Sequence, residues 1–269
     1  MARANRHFIP GCVWHITHRC HKKEFLLKFA HDRSRYVQWL YQARRRYGVQ
    51  ILNYAVTSNH IHLLIRDDGK DSVIPSSMQL VAGRAAQEYN TRKRRKGAFW
   101  EDRYHATVIE TGDHLRRCLV YIDLNMVRAG VVDHPGEWRN GGYREIQGMR
   151  RRNTVIALDA LAEAAEVGSV AALTEAHGEW VEMALASDVR HQQEDFWTRS
   201  IAVGSEAYVN RIKGLLGTRG RGRDIREAEG ALVIREEFDG YGGDSEPENR
   251  PIDTETGVSE REFLLKTGG

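Results

Sequence analysis

Two histidines flank one isoleucine in an apolar run, Asn59-His60-Ile61-His62-Leu63-Leu64-Ile65. If the run is a β-strand, residues i and i+2 share a face, so His60 and His62 present their imidazoles side by side while Ile61 packs behind them. Such a pair either fills a hydrogen-bonded structural position or ligates a divalent metal. An HxHxD metallohydrolase pattern is absent, because positions 63 and 64 are both leucine. Farther along, Asp113 to Val127 (DHLRRCLVYIDLNMV) reads as a helix. At 100° per residue Leu115, Leu119, Ile122 and Met126 form a core stripe, while His114, Arg117, Tyr121, Asn125 and, if the helix runs on, Arg128 gather on another face. Tyr121 and Asn125 lie one turn apart and present together. On a lone helix a phenol, an amide and guanidinium groups make an ordinary polar surface; beside a histidine pair they make a candidate site.

The elements that must position these groups alternate. Positions 12–19 (CVWHITHR), 50–56, 60–66 and 104–110 (YHATVIE) read as strands, and Thr57-Ser58-Asn59 as a tight turn joining the middle two in a hairpin. Positions 31–47 and 76–95 read as helices, the first with Tyr36, Leu40 and Ala43 at helical spacing and Gly48 at its end. The order β-α-β-β-α-β is the split βαβ, or ferredoxin-like, arrangement of an α+β fold, an antiparallel sheet with both helices on one face. The other face is left free for a ligand, and a tyrosine-bearing helix and a helical C-terminal extension are added to this core.

Composition narrows the class. The chain has 269 residues, 29% charged and 41% apolar, which is ordinary for a soluble protein. No apolar run nears the roughly 18 residues of a membrane span, and the first residues lack the apolar core of a signal peptide. Three cysteines without a CxxC pair fit a reducing compartment, so a cytoplasmic location is expected. His15, His18, Cys20 and His21 crowd together but lack orderly zinc spacing.

The net charge of +3 conceals a division: residues 1–152 carry 28 Lys and Arg against 14 Asp and Glu, and the remaining 117 carry 12 against 23. The first part suits a polyanion. Any single basic run is as often a solvated face as a phosphate site, but three runs, 44–46, 92–96 and 150–152, tilt the balance toward nucleic acid. Candidate DNA contacts are Arg84, Arg92, Lys93, Arg94, Arg95, Arg103, Arg117 and Arg128, with Arg3 and Arg6 near Trp14, whose indole is a candidate platform for exposed bases.

Three tracts carry a resemblance: Asn59-His60-Ile61-His62-Leu63-Leu64, Phe99-Trp100-Glu101-Asp102-Arg103-Tyr104, and Tyr121-Ile122-Asp123-Leu124-Asn125-Met126-Val127-Arg128-Ala129-Gly130. In this order they resemble the REP-associated tyrosine transposases, relatives of the single-tyrosine HUH transposases. Trp197 to Gly217 is similar to a short C-terminal segment many of them carry. The resemblance implies that His60, His62 and the Asn125 amide oxygen hold Mg²⁺ or Mn²⁺, and that Tyr121 attacks a phosphodiester of single-stranded DNA. The products would be a 5′-phosphotyrosine and a free 3′-OH, and the partner single-stranded or hairpin DNA. An unperturbed phenol has a pKa of about 10, so Arg117 or Arg128 would help stabilise its anion. Tyr104 is a rival nucleophile whose place in a strand beside Trp100 suits packing better. Two departures concern local geometry: Met126 stands where relatives usually have proline, leaving the helix free to continue, and Thr57-Ser58 replaces a methionine-containing turn.

The expected organisation is a nuclease domain over 1–152, a helical C-terminal extension over 153–235, and an acidic tail over 236–269 short of core residues and expected to be disordered. The expected activity is metal-dependent nicking and joining of single strands at hairpin-forming repeats, by a monomer. A catalytically silent DNA-binding protein on the same fold is the alternative, and a metal-dependent hydrolase a third. They differ in whether a covalent protein–DNA adduct forms.

Overall fold

A computed structural model describes residues 9–70, 72–187, 195–217, 223–228 and 230–235. Arg3, Arg6 and the acidic tail lie outside the described residues. The first part follows the expected order: β1 (Val13–Arg19), α1 (Ala30–Tyr47), β2 (Gln50–Val56), β3 (His60–Arg66), α2 (Val73–Lys93) and β4 (His105–Ile109). Gly48 ends α1 in the left-handed region at φ 71°, its N–H closing on the Arg44 carbonyl, a conformation that glycine adopts without steric cost. The four strands pair antiparallel in the order β2-β3-β1-β4, the ferredoxin-like sheet.

Strand alternation sorts the side chains. Ile16 and His18 of β1 and Ile61 and Leu63 of β3 face α1 and α2, where His18 stacks on Trp100 at 4.1 Å and Trp100 meets Tyr36 of α1 edge-on. His15, Thr17 and Arg19 of β1 point the other way, in register with Leu64, His62 and His60. The crowded histidines near the N-terminus are thus split between two faces. Only His15 joins the paired histidines.

The tyrosine-bearing segment covers that second face, but not as one helix. α3 (Asp113–Asp123) ends at Leu124, whose φ −78° and ψ 2° leave the helical region, and α4 (Asn125–Arg128) follows at once. Leu115, Leu119 and Ile122 form the expected core stripe. Met126 leaves it, packing with Val132 and Trp138, while Leu124 packs with Tyr143 and Val181. The break lets these neighbours enter two separate apolar clusters, although the absence of proline leaves the helix free to continue.

Beyond this come α5 (Tyr143–Ile146), α6 (Leu158–Ala164), α7 (Val170–Ala186) and α8 (Phe196–Arg199), then β5 (Ser200–Gly204), α9 (Glu206–Leu216), β6 (Ile225–Ala228) and β7 (Ala231–Arg235). The extension is therefore helical only in part. Its three strands lengthen the sheet to β2-β3-β1-β4-β5-β7-β6, with β5 parallel to β4. Strands were not expected in the extension, because Ile201-Ala202-Val203 is too short an apolar run to separate from helix by periodicity. None of the described helices is long and apolar enough to cross a membrane.

Candidate active site

The His60 and His62 rings lie 4.9 Å apart on the β3 face that α3 covers. Both are buried, as is His15. Burial pushes the His15 imidazole down to about 4 and His60 to about 3, the latter helped by Arg19 and Arg128. Burial, then His60, His15 and the same arginines, holds His62 well below the usual imidazole value. All three are neutral near pH 7, the form in which imidazole ligates a metal.

Hydrogen bonding then fixes where the protons sit. A carbonyl can only accept, so His15 Nδ1–H donates to the Trp197 carbonyl at 2.8 Å. Neutral His15 therefore has a bare Nε2, which accepts from His62 Nδ1–H at 2.9 Å. That leaves a lone pair on His62 Nε2, 3.1 Å from the Asn125 amide. His60 Nδ1–H donates to Asn59 Oδ1 at 2.7 Å, and His60 Nε2 is buried with no hydrogen-bond partner. Thr57 Oγ1 accepts from the His60 N–H and donates to the His60 carbonyl, holding the turn.

An unpartnered imidazole lone pair beside a second one is what a divalent cation needs. A half-turn of the Asn125 amide exchanges its nitrogen and oxygen, offering a third, oxygen donor. Among the described residues no group of three His, Cys, Asp or Glu side chains is placed to hold a metal; this donor set draws on an amide instead.

Tyr121 of α3 presents its ring edge to His62 at 5.9 Å and to His15 at 6.1 Å. The Arg128 guanidinium lies 4.2 Å from the Tyr121 ring centroid and donates to the Tyr121 carbonyl at 2.6 Å. Arg117 lies over Trp197 at 5.9 Å, and Trp197 packs 6.3 Å from Tyr121. The β3 histidines thus meet Tyr121, Asn125 and Arg128 from a distant stretch of the chain, while Arg117 lies over Trp197 beside the tyrosine. Tyr104 does not: it stands edge-on to His18 on the opposite face of the sheet.

The histidine pair opens on a cavity of about 300 Å³, whose rim includes Arg19, Arg103 and Arg199. Of the other candidate DNA contacts, Arg92 pairs with Asp32, Lys93 lies over Phe29, and Arg95 bonds the Ala98 carbonyl at the end of α2. Exposed Arg94 is there too, and Arg84 lies over Trp39 on the α2 surface, away from the cavity. Trp14 is 5% exposed, so it is core and offers no stacking platform. Its place in an alternating strand gave no sign of which face was covered. His15, Arg19 and Trp197 went unassigned, though the i, i+2 spacing from His15 to Thr17 and Arg19 marks one face.

Residues 9–125 match the model of the family described as "Transposase IS200 like". That segment is similar to an IS200-like transposase. The matched segment carries the histidine pair, Tyr121 and Asn125; α5 to β7 lie outside it. Among solved structures the chain is similar to a REP-associated tyrosine transposase bound to a REP hairpin, at 18% identity and a TM-score of 0.46, over 57% of this chain and 91% of that one. It is also similar to a transposase candidate from Deinococcus radiodurans R1, at 16% identity and a TM-score of 0.32, over 43% and 91%. No curated protein matches the chain significantly.

Proposed function

We propose that this protein is a single-stranded DNA transesterase that nicks and rejoins strands at hairpin-forming DNA through a phosphotyrosine intermediate. The observation that carries the reading is the convergence of two bare imidazole nitrogens and the Asn125 amide beside Tyr121 in a segment similar to an IS200-like transposase. His60, His62 and Asn125 would hold Mg²⁺ or Mn²⁺. When bound, the metal supplies Lewis acidity to the phosphoryl oxygens.

The chain's own residues supply the rest. The Tyr121 hydroxyl oxygen forms a bond to phosphorus while the bond from phosphorus to the 3′-oxygen breaks. The proton lost by the phenol is balanced by the one gained on the leaving 3′-oxygen. Arg128, against the Tyr121 ring, favours negative charge as it develops on the phenol. Arg19, Arg103 and Arg199 line the adjoining cavity and suit the phosphates on either side. The phosphotyrosine ester retains the energy of the broken bond, so a 3′-OH can attack it and reseal a strand without ATP.

Incubating the protein with labelled hairpin oligonucleotides and Mn²⁺ tests the reading. Wild type should give a covalent adduct, and Tyr121→Phe should bind DNA without one. A mobility shift alone would mean a binding protein, and cut DNA without adduct a hydrolase.

A further inference from the structure

Asn125 meets His62 just after the chain turns at Leu124, and α7 grips the two residues that make the turn. His177 donates from Nε2 to Asp123 Oδ2 at 2.8 Å, and Val181, one helical turn on, packs in one cluster with Leu124 and Tyr143. Asp123 and Leu124 are consecutive, and Asn125 comes next. Gln147 fixes the tautomer of His177. Its amide nitrogen donates to the Thr174 carbonyl at 2.9 Å and lies 3.0 Å from His177 Nδ1, so Nδ1 accepts and the ring proton sits on Nε2. The other Asp123 oxygen accepts from the Asn53 amide at 3.1 Å, which ties the same side chain to β2. The His177 and Asp123 side chains are shut off from water, at 0% and 1% exposure. All of α7 lies outside the segment that matches the transposase family.

We infer that α7 positions the metal site, with His177 as its positioning residue: the bond to Asp123 holds the turn that aims the Asn125 amide at the histidine pair. The inference rests on the reading that Asn125 is a metal ligand, and it assigns the support of that ligand to a helix beyond the matched segment. An unbroken helix would place Asn125 one turn from Tyr121 by its own backbone. Here the backbone leaves the helical region at Leu124, so contacts with the rest of the fold set where the amide lies. A buried carboxylate that loses its imidazole donor turns to another partner or to water, and the turn moves with it. A ligand constellation tolerates only about 0.5 Å of such movement. His177 ligates nothing itself, because its one ring proton is committed to Asp123.

The test is a double-mutant cycle on the full chain, read as Mn²⁺ affinity by titration calorimetry without DNA, at a temperature well below the melting of every variant. His177→Ala should weaken Mn²⁺ binding about tenfold, the usual effect of losing a residue that orients a ligand. His177→Gln, whose amide nitrogen stands where the imidazole Nε2 does, should recover most of the loss. In an Asn125→Ala background His177→Ala should change the affinity little, because the ligand it positions is already gone. A purely structural role would weaken binding equally in both backgrounds, and that result would overturn the inference, as would wild-type affinity in His177→Ala. Should His177→Ala fail to fold, Val181→Ala loosens the same turn by a smaller cut and is run through the same cycle, with the same outcomes deciding. Asn125→Ala with unchanged affinity would sink the ligand reading and this inference with it, whereas a weakened Asn125→Ala beside an unaffected His177→Ala would sink this inference alone.

Discussion

His15 Nε2 lies 2.9 Å from His62 Nδ1, with the two rings stacked 5.1 Å apart and 11° from parallel. A histidine outside the paired motif thereby sets the tautomer of one inside it, and its own tautomer is set by the Trp197 carbonyl. Partners of this kind orient a ligand imidazole and raise its basicity. His15→Phe keeps the ring shape but leaves His62 Nδ1–H without its acceptor. Mn²⁺ affinity, measured by titration calorimetry, should fall about 10- to 100-fold, and His15→Gln, whose amide oxygen can accept, should recover part of the loss. Equal affinity in wild type and His15→Phe would show that the relay does not tune the site.

The same histidines make stability depend on pH. His15 and His60 are lowered to about 4 and about 3 in the fold, and burial together with its charged neighbours holds His62 well below its ordinary value, whereas an unfolded imidazole titrates near 6.5. Below about 6.5 the unfolded chain binds protons that the folded chain refuses. The stabilisation is therefore complete above about 6.5 and is lost as pH falls toward the folded values, by up to roughly 1.4 kcal/mol per pH unit for each histidine. Urea unfolding of the metal-free protein at a series of pH values should show this decline, with a shallower slope for His15→Gln. A flat profile between about pH 7 and 5 would contradict the neutral buried state.

A third prediction concerns what holds the tyrosine helix. Asp123, two residues beyond Tyr121, accepts from the buried His177 of α7 at 2.8 Å and from the Asn53 amide of β2 at 3.1 Å. Gly142 packs over this network so closely that a Cβ there would lie 2.0 Å from Asn53 Oδ1. Asp123→Ala strands two buried donors at once and should cost about 3 kcal/mol, a fall in melting temperature of roughly 10 °C. Asp123→Asn keeps one acceptor and should cost less. A melting temperature unchanged in Asp123→Ala would mean that the network carries no net stability.

The sequence made the first six elements legible because each has a strong period: two for His60 to Arg66, 3.6 for the helix carrying Tyr36 and Leu40. Tyr121 and Asn125 were legible as neighbours by their one-turn spacing, and that relation survives the break at Leu124. What periodicity leaves open is which partner covers a face. Trp14 alternates as a surface residue would, yet α1 and α2 bury its side of β1. Trp197 sits in a tract too short to reveal that it approaches Tyr121, since a four-residue helix such as α8 carries no period of its own. The contribution of β5 was hidden for a related reason: parallel pairing with β4 is set by a distant partner.

The last prediction concerns the boundary near Arg152, where composition divides the chain. The sheet does not divide there. β5 continues the sheet beyond β4 through Val108 with Ala202 and Ile109 with Val203, and α7 supplies His177 to Asp123 and Val181 to the Leu124 cluster. Ending the chain at Arg152 would bare the β4 edge, remove the buried Trp197 and its bond to His15, and leave Asp123 without His177. An exposed apolar edge and an unpaired buried group both favour association over folding. The 1–152 fragment should therefore be recovered as aggregate, or unfold over a broad transition without the cooperativity of the full chain. It should also bind Mn²⁺ more weakly, because His62 loses the Trp197 and His15 relay. A soluble fragment with a sharp melt and full Mn²⁺ affinity would show that the extension is an appendage and that the site is complete without it.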